Sequence, residues 1–400
     1  MKARLRELKR IDWDFSDYKG ASSSSANINS LHWYLAPFVA PIPAILIQTL
    51  TQQGDTVLDP FAGAGVALVE AARLDRNFIG IDVNPYAVNI MRAKVHALEA
   101  ADDQWFSNIS ENVDALSSKP VVHSVIDYCA RAEINTEVFR WFERKTLRQL
   151  CNLHYYVVSE SDSKDRLLKK VLFSSILQRS CSQQRVYTYV TDGCFPEKMV
   201  HVDAMRLFRR RAQLTALAAQ TFRKQYKLLH GVECTTPSVL LSEGDARNLA
   251  FLRDNSVDMV ITSPPYLGVH DYVRSMRLTA LFFPERNGAL AMRNEIGARW
   301  KRNRRNAYDE YLAHMGKAFS EICRVLRPRG FVCLVIGRGG GKTYKGDTVH
   351  ELITPLHTLH RFKTALRVTR TIRFRRIPPG FQSRRRQTEG KEEIIILNRD

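Results

Sequence analysis

Residues 57–65 read VLDPFAGAG, and this stretch decides the fold of the chain. Its first residues are of the apolar type that forms a buried strand, and its last three make a turn containing Gly63 and Gly65. Glycine tolerates a positive φ and lets the backbone come close to a bound ligand. The stretch therefore predicts a strand, a ligand-facing turn and a helix whose first N–H groups are free.

The neighbouring segments continue the alternation of strand and helix. We predict helices at residues 43–50, 67–74 and 85–98, and strands at 55–58 and 78–81. Asp82 ends the second strand, where an acid can accept hydrogen bonds from the ribose hydroxyls of a nucleotide-like cofactor. Leu68 occupies the third glycine position of an NAD-binding loop, which disfavours a dehydrogenase. The order strand, glycine turn, helix, strand is typical of a doubly wound α/β sheet.

A second stretch, residues 257–266, reads VDMVITSPPY. A predicted strand at 257–261 runs into two prolines, which fix φ and remove N–H donors, so the turn is rigid and its carbonyls are free to accept. A hydroxyl, a rigid carbonyl and a flat aromatic ring together suit a planar amine as substrate. Taken alone, the motif favours the plain alternative of a strand terminator followed by a packing tyrosine.

The composition of the chain is that of a folded protein, and its charge favours a negatively charged partner. It has 400 residues, 44% hydrophobic and 25% charged, which suggests two or three domains. Its 60 basic and 41 acidic residues give a net charge of +19, which favours a polyanion, most simply nucleic acid. A merely basic protein is the plain alternative.

The residue content disfavours three classes of protein. The chain has no run of about 18 apolar residues, so we expect no membrane span. Its first ten residues are charged and lack an apolar signal core, which favours a cytoplasmic location. The seven cysteines form no CxxC pair, which predicts neither a metal site nor a disulfide framework.

The texture of the sequence changes twice along the chain. Few β-type runs occur in the middle third, and the α/β pattern resumes after it with a helix at 308–326 and strands at 331–336 and 393–397. We therefore divide the chain into an N-terminal arm (1–30), a cofactor-binding half (31–98), a mostly helical insert (99–235) and a catalytic half with a basic C-terminal region (236–400).

Together the two motifs resemble those of the S-adenosylmethionine-dependent DNA amino-methyltransferases, the N4-cytosine/N6-adenine family. The resemblance covers residues 31–94 and 240–338, with a weaker tail to 399. It implies a Rossmann-like class I methyltransferase sheet with an inserted, mostly helical domain, and S-adenosyl-L-methionine as the cofactor without a metal. The residues that the resemblance assigns to cofactor binding are Asp59, Pro60, Phe61, Ala62, Gly63, Gly65, Asp82 and Asp245.

The resemblance also assigns the catalytic residues, which are Ser263, Pro264, Pro265 and Tyr266. The Ser263 hydroxyl and the Pro264 carbonyl are expected to hold the target amine, and the Tyr266 ring is expected to stack on the base. Within the family this serine form is associated with the N4 amine of cytosine. The cofactor motif precedes the catalytic motif, however, as in the class whose recognition domain lies between them, so the N6 amine of adenine stays open.

Residues just after the catalytic motif are candidates for lining the base pocket. These candidates are Asp271, Tyr272 and Arg277, and the ordinary alternative is the start of a helix in which Arg277 pairs with a nearby acid.

The expected partner is duplex DNA with the target base flipped out of the stack, since a stacked base is out of reach. The insert is the candidate recognition domain. The resemblance leaves room for a separate restriction nuclease, and places such an enzyme in the cytoplasm at a bacterial or archaeal nucleoid. Candidate phosphate contacts are Arg299, Lys301, Arg302, Arg304, Arg305, Arg373, Arg375, Arg376, Arg384, Arg385 and Arg386.

Two other functions compete with this one. An RNA methyltransferase acting on a base amine would use the same catalytic geometry. A non-catalytic nucleic-acid-binding protein with a degenerate fold is disfavoured because Gly63, Gly65, Asp82 and the motif at 263–266 are all intact.

Overall fold

The apolar strands of both halves of the chain pair into one sheet. A computed structural model describes residues 2–15, 27–99, 103–183, 195–234, 237–337, 347–372 and 390–399. Within these residues the strands are β1 (Thr56–Asp59), β2 (Asn77–Asp82), β3 (Val239–Glu243), β4 (Val257–Thr262), β5 (Leu326–Gly337), β6 (Phe362–Ile372) and β7 (Gly390–Arg399).

Helices cover the sheet. In the described residues they are α1 (Lys2–Leu8), α2 (Pro41–Leu50), α3 (Val66–Arg73), α4 (Pro85–Glu99), α5 (Asp103–Ser118), α6 (Val125–Arg131), α7 (Arg144–Val158), α8 (Ser163–Ser180), α9 (Ala204–His230), α10 (Tyr272–Ser275), α11 (Arg277–Phe282), α12 (Gly288–Asn294), α13 (Ala307–Val325) and α14 (Thr348–Thr358).

The strand order is β3-β2-β1-β4-β5-β7-β6. Strands β1 to β5 pair in parallel, and β7 runs antiparallel between β5 and β6. From β1 the sheet extends in one direction through β2 and β3, and in the other direction through β4 and β5. Ligands of open α/β sheets bind at such a switch point, outside the carboxyl ends of the strands. The sheet confirms the predicted Rossmann-like α/β fold, and it brings the turns after β1 and β4 side by side.

Strand β6 was not predicted. Its sequence, FKTALRVTRTI, mixes three basic residues with β-branched and apolar residues, and it forms an edge of the sheet. Charged side chains are common on edge strands, where they discourage pairing with other chains. They also mask the apolar pattern by which a strand is recognised from sequence.

The first residues of the predicted N-terminal arm pack on the sheet. Leu8 and Trp13 are buried in the same core cluster as the sheet residues Val57 and Ile394, and Asp14 accepts a hydrogen bond from the Thr371 backbone N–H. The first 15 residues therefore belong to the fold, because their few apolar side chains cover the sheet beside β6. Residues 16–26, which include the serine run, lie outside the described residues.

The insert between β2 and β3 is mostly helical, as predicted, and it packs directly on the helix layer of the sheet. Phe173 of α8 and Phe208 of α9 share one core cluster with Ala93 and Ala97 of α4. Basic residues of α9 bond to the rest of the fold: Arg223 donates to the Leu98 carbonyl of α4 (3.3 Å), and Arg211 donates to the Ser30 carbonyl (2.5 Å). Some of these basic residues therefore bond within the protein, so not all of them are available to bind a polyanion.

No helix in the described part of the chain is long and apolar enough to cross a membrane. The same residues contain no cluster of histidine, cysteine and acidic side chains suited to a metal ion.

Candidate active site

The turn after β1 requires glycine at two positions. Gly63 and Gly65 have φ of 52° and 72°, in the left-handed region that favours glycine. A Cβ on Gly65 would lie 2.6 Å from Met91 Cγ. Beneath the turn, the buried Lys94 donates from Nζ to the Ala64 carbonyl (2.6 Å). Lys94 therefore fixes the backbone of the turn, and the Tyr34 ring packs against Gly63, where a Cβ would lie 3.1 Å from Tyr34 Cε1.

Asp82 closes the other side of this turn. Its carboxylate accepts hydrogen bonds from the backbone N–H groups of Gly63 and Asn84, each at 2.8 Å. Burial raises the pKa of Asp82 to about 6, although these two hydrogen bonds oppose the rise. The carboxylate is therefore ionised at neutral pH, and its remaining lone pairs are available to hydroxyl donors.

A cavity with an empty volume of about 860 Å³, open solvent included, lies at this point. The glycine turn, Asp82 and Asp245 line it, and so do Ser263 and Pro265 from the turn after β4. One cavity thus joins the two motifs that are about 200 residues apart in the sequence.

Two stacked tyrosines form a wall of the cavity. The rings of Tyr34 and Tyr272 lie 6.1 Å apart at 18°, and the Asn84 side chain donates to the Tyr34 hydroxyl (3.2 Å). Burial raises the pKa of both tyrosines, so both hydroxyls stay protonated. This wall presents flat aromatic surface to whatever the cavity holds.

Glu295 also lines the cavity, although no pattern in the sequence indicates it. Its carboxylate accepts hydrogen bonds from the backbone N–H groups of Tyr272 (2.6 Å) and Val273 (3.4 Å) at the start of α10. Burial raises the pKa of Glu295 to about 7. The acid therefore anchors the segment that follows the catalytic motif.

Asp59, predicted to bind cofactor, instead joins the two turns. Its carboxylate accepts from the Thr262 hydroxyl (2.6 Å) and from the Phe61 N–H (3.1 Å). It is buried outside the described lining of the cavity, and its Oδ2 atom has no hydrogen-bond partner among the described residues. Burial raises the pKa of Asp59 to about 7.

The turn after β4 is held from outside the motif. The Tyr311 hydroxyl donates to the Pro265 carbonyl (3.0 Å), and the Tyr266 hydroxyl donates to Glu392 (2.9 Å). The Tyr266 hydroxyl oxygen also lies 3.4 Å from the Ser263 Oγ. The serine is thus presented on a rigid turn at the cavity.

The other residues predicted to bind cofactor line the cavity, except Gly65, which is not among its described lining residues. Pro60, Phe61 and Ala62 line it, and Asp245 pairs there with Arg247. Burial opposes ionisation of Asp245, but the hydrogen bonds from Arg247 outweigh it and hold its pKa below the usual range.

Of the three base-pocket candidates, only Tyr272 is among the described residues that line this cavity. Asp271 accepts a hydrogen bond from the Trp300 N–H (3.0 Å). Arg277 forms two hydrogen bonds with Glu137 of the insert (2.9 and 2.8 Å), which is the ordinary alternative of a helical arginine paired with an acid.

The family model for N6/N4 DNA methylases matches residues 2–93 and 257–400, more than half of the chain. This chain belongs to that DNA methylase family. The unmatched middle, 94–256, includes the helical insert and β3. The match thus covers both motifs that meet at the cavity.

Curated relatives are distant. The Type II methyltransferase M.MjaII of Methanocaldococcus jannaschii is 20% identical over 82% of this chain and 75% of its own length. M.BsoBI of Geobacillus stearothermophilus is 24% identical over 58% and 49%. M.BglI of Bacillus subtilis is 39% identical, but over only 24% of this chain and 26% of its own length.

Solved structures are more distant still. A SAM-dependent methyltransferase from Methanosarcina mazei shares 11% identity at a TM-score of 0.33, covering 92% of this chain and 99% of its own. An rRNA methyltransferase from Streptomyces viridochromogenes shares 10% at 0.39, covering 95% and 93%. At these scores the likeness adds nothing to what the order of the strands already shows.

Family membership makes the protein a methyltransferase that uses S-adenosylmethionine, with DNA as its class of substrate. The cavity fits that cofactor, because it combines a bare glycine turn, an ionised acid at the end of β2 and aromatic walls. When bound, the cofactor supplies a methyl group on a positively charged sulfur, a centre that aromatic faces attract.

Proposed function

We propose that this protein methylates the exocyclic N4 amine of cytosine at specific sites in duplex DNA. The observation that carries the proposal is that Ser263 lines the same cavity as Asp82 and the glycine turn. A hydrogen-bonding hydroxyl therefore lies next to the compartment suited to the methyl donor.

The cofactor-binding roles follow from the contacts around the cavity. The Asp82 carboxylate would accept hydrogen bonds from the ribose hydroxyls. Asp245, which follows the end of β3, would lie on the adenine side of the cofactor. Phe61 would offer its ring to the sulfonium group. Lys94 contributes by fixing the Ala64 carbonyl and with it the path of the turn.

The chemical task of the second turn is to activate a poor nucleophile, because the lone pair of a base amine is conjugated with its ring. The Ser263 Oγ and the Pro264 carbonyl would accept hydrogen bonds from the amine and localise that lone pair on nitrogen. The Tyr266 ring would hold the plane of the base. Most of the acceleration then comes from positioning and from preorganised dipoles.

Cytosine is favoured by the serine in the first position of the Ser-Pro-Pro-Tyr motif. Adenine N6 is the second candidate, and the observation that favours it is the order of the motifs, with the glycine turn at 63–65 ahead of the catalytic turn at 263–266.

Duplex DNA as the substrate requires that the base be flipped, at a cost on the order of a few kcal/mol that phosphate contacts must offset. Arg299, Arg302, Arg304 and Arg305 are exposed just after the cavity residue Glu295 and suit that task. Lys301 does not, because it is buried and donates to the carbonyls of Arg293 and Glu295. The other predicted arginines, at 373–386, lie outside the described residues.

The insert is proposed as the recognition domain. Its Glu137 pairs with Arg277 in α11, two helices after the catalytic turn, so it is joined directly to the catalytic half. The named relatives are Type II methyltransferases, and we propose a restriction–modification role with a separate nuclease in the cytoplasm.

The test is to incubate the protein with isotope-labelled S-adenosylmethionine and separate pools of duplex DNA and total RNA. The modified nucleosides are then identified by mass spectrometry, with Ser263→Ala as the control. N4-methylcytosine in DNA is the expected product. N6-methyladenine in DNA would establish the second candidate, and label confined to RNA would overturn DNA as the substrate.

A further inference from the structure

A chain of hydrogen-bonding groups leads from the catalytic serine to the far strands of the sheet. The Ser263 Oγ lies 3.4 Å from the Tyr266 hydroxyl oxygen, and that hydroxyl lies 2.9 Å from Glu392 Oε1. The other oxygen of Glu392 lies 3.3 Å from Nη1 of the buried Arg370. Glu392 is on β7, 126 residues after Tyr266 in the sequence.

The direction of these hydrogen bonds follows from the chemistry of the last acceptor. A carboxylate only accepts hydrogen bonds, so Tyr266 must donate its proton to Glu392. The oxygen of Tyr266 is then free to accept from Ser263. The Ser263 hydroxyl, once it donates to Tyr266, keeps its lone pairs for a donor in the cavity.

The surroundings hold Tyr266 in the position that this chain requires. Gly337 ends β5 and pairs in register with Glu392. A Cβ on Gly337 would lie 2.4 Å from Tyr266 Cε2, so the ring packs directly against that glycine. Burial, and then the charge of Glu392, raise the pKa of Tyr266, so the hydroxyl keeps its proton.

We propose that Glu392 is a positioning residue that orients the Ser263 hydroxyl as a hydrogen-bond acceptor for the target amine. The inference rests on the proposed role of Ser263 and adds a residue to it. In Glu392→Gln the amide oxygen would accept from Arg370, and the NH2 group would then donate to the Tyr266 oxygen. Tyr266 would in turn donate to Ser263, and the serine hydroxyl would point its own proton toward the amine.

Glu393 provides a matched control on the same strand. It is the next residue, so its side chain lies on the opposite face of the sheet. It pairs with Arg367 of β6, just as Glu392 pairs with Arg370 of β6. Glu393→Gln therefore removes an equivalent ion pair without touching Tyr266.

The experiment is a double-mutant cycle on the full chain, read as the single-turnover rate of methyl transfer at saturating cofactor and DNA. Glu392→Gln should slow the rate about tenfold, the value of one hydrogen bond to a charged group. Glu393→Gln should change it less than about twofold. In a Ser263→Ala background, Glu392→Gln should cost nothing further, because its effect acts through the serine.

Each outcome decides a separate point. Equal slowing by Glu392→Gln with and without Ser263 would mean a merely structural role and would overturn the inference. A normal rate for Glu392→Gln, with Ser263→Ala slowed, would overturn it too while leaving the proposed function intact. A normal rate for Ser263→Ala would reject the proposed catalytic role itself. Thermal unfolding of all variants shows whether any of them fails to fold.

Discussion

The turns after β1 and β4 are neighbours in the sheet but are built in opposite ways. The first turn is made of glycines, and its backbone is held from below by Lys94 and from the side by Asp82. The second is made of prolines, which fix its backbone directly, and its Pro265 carbonyl and Tyr266 hydroxyl bond to Tyr311 and Glu392.

The difference indicates a division of labour between the two turns. A bare backbone admits a ligand at close range, so changes in the glycine turn should affect cofactor affinity. A rigid turn presents a hydroxyl and carbonyls in fixed directions, so changes in the proline turn should affect the rate. Asp59 connects the two through Thr262, which makes it the place where the division can fail.

The largest effect is expected in the glycine turn. Gly65→Ala places a methyl group against Met91 at a positive φ, and it should weaken cofactor binding about 100-fold by displacing the turn. Gly54→Ala is the control, since Gly54 also has a positive φ (81°) but open space around its Cβ. It should cost only about 1 kcal/mol of stability. Calorimetry measures the affinities, and an equal decrease in affinity in both variants would contradict the close-approach argument.

The link between the turns should show itself in the pH dependence of stability. The folded-state pKa of Asp59 is about 7, above its ordinary value of 3.8, so ionising this acid opposes folding. The contribution of Asp59 to the free energy of unfolding should therefore fall as pH rises from about 4 to about 7.

Asp59→Asn keeps an acceptor for Thr262 but cannot ionise. Between about pH 5 and about pH 8 its stability relative to wild type should improve by about 2 kcal/mol, measured by urea unfolding. If the difference in stability between the variant and wild type does not change with pH, the folded protein does not hold Asp59 in its protonated form.

Cofactor affinity should depend on the charge of Asp82. Asp82→Asn should weaken binding about tenfold at about pH 8, because the variant offers a neutral acceptor in place of a charged one. In the wild type, affinity should fall as pH drops below about 6, where Asp82 becomes protonated. The variant should lack this fall in affinity at low pH. If the fall persists in the variant, the group responsible would be Glu295, whose pKa is about 7.

The smallest effect is expected at the exposed arginines that follow Glu295 in the sequence. Arg302→Gln and Arg305→Gln should each weaken DNA binding slightly and reduce the slope of log affinity against log salt by about 0.9 for each phosphate that the arginine neutralises. Arg253→Gln is the control, an exposed arginine just before the amino end of β4, whereas the cavity lies at the carboxyl ends of the strands. An unchanged slope in the first two variants would show that Arg302 and Arg305 do not contact DNA phosphates.

Local sequence patterns were sufficient for both turns and for strands β1, β2, β4, β5 and β7, but not for β3 or β6. Each motif is a run of strand residues followed by residues with special backbone geometry, so glycine and proline mark the positions directly. Asp82 was found for the same reason, since it ends an apolar strand at a fixed distance from the first turn.

Residues that support the turns from elsewhere in the chain were missed. Glu295 and Glu392 come from distant elements, and no local pattern relates them to the motifs. Lys94 left a weak signal, because it lies on the buried face of α4 between Ile90 and Leu98. Asp59 was assigned to the right turn, but which way its carboxylate points depends on Thr262, 203 residues away.

The most direct test of the division of labour is the Ser263→Ala variant, measured both for cofactor affinity and for single-turnover methyl transfer to DNA. We predict a rate about 100-fold below wild type, with an affinity for S-adenosylmethionine within about twofold of it. A variant that binds the cofactor more weakly while keeping its rate of transfer would contradict the account, because the two turns would then not have separate tasks.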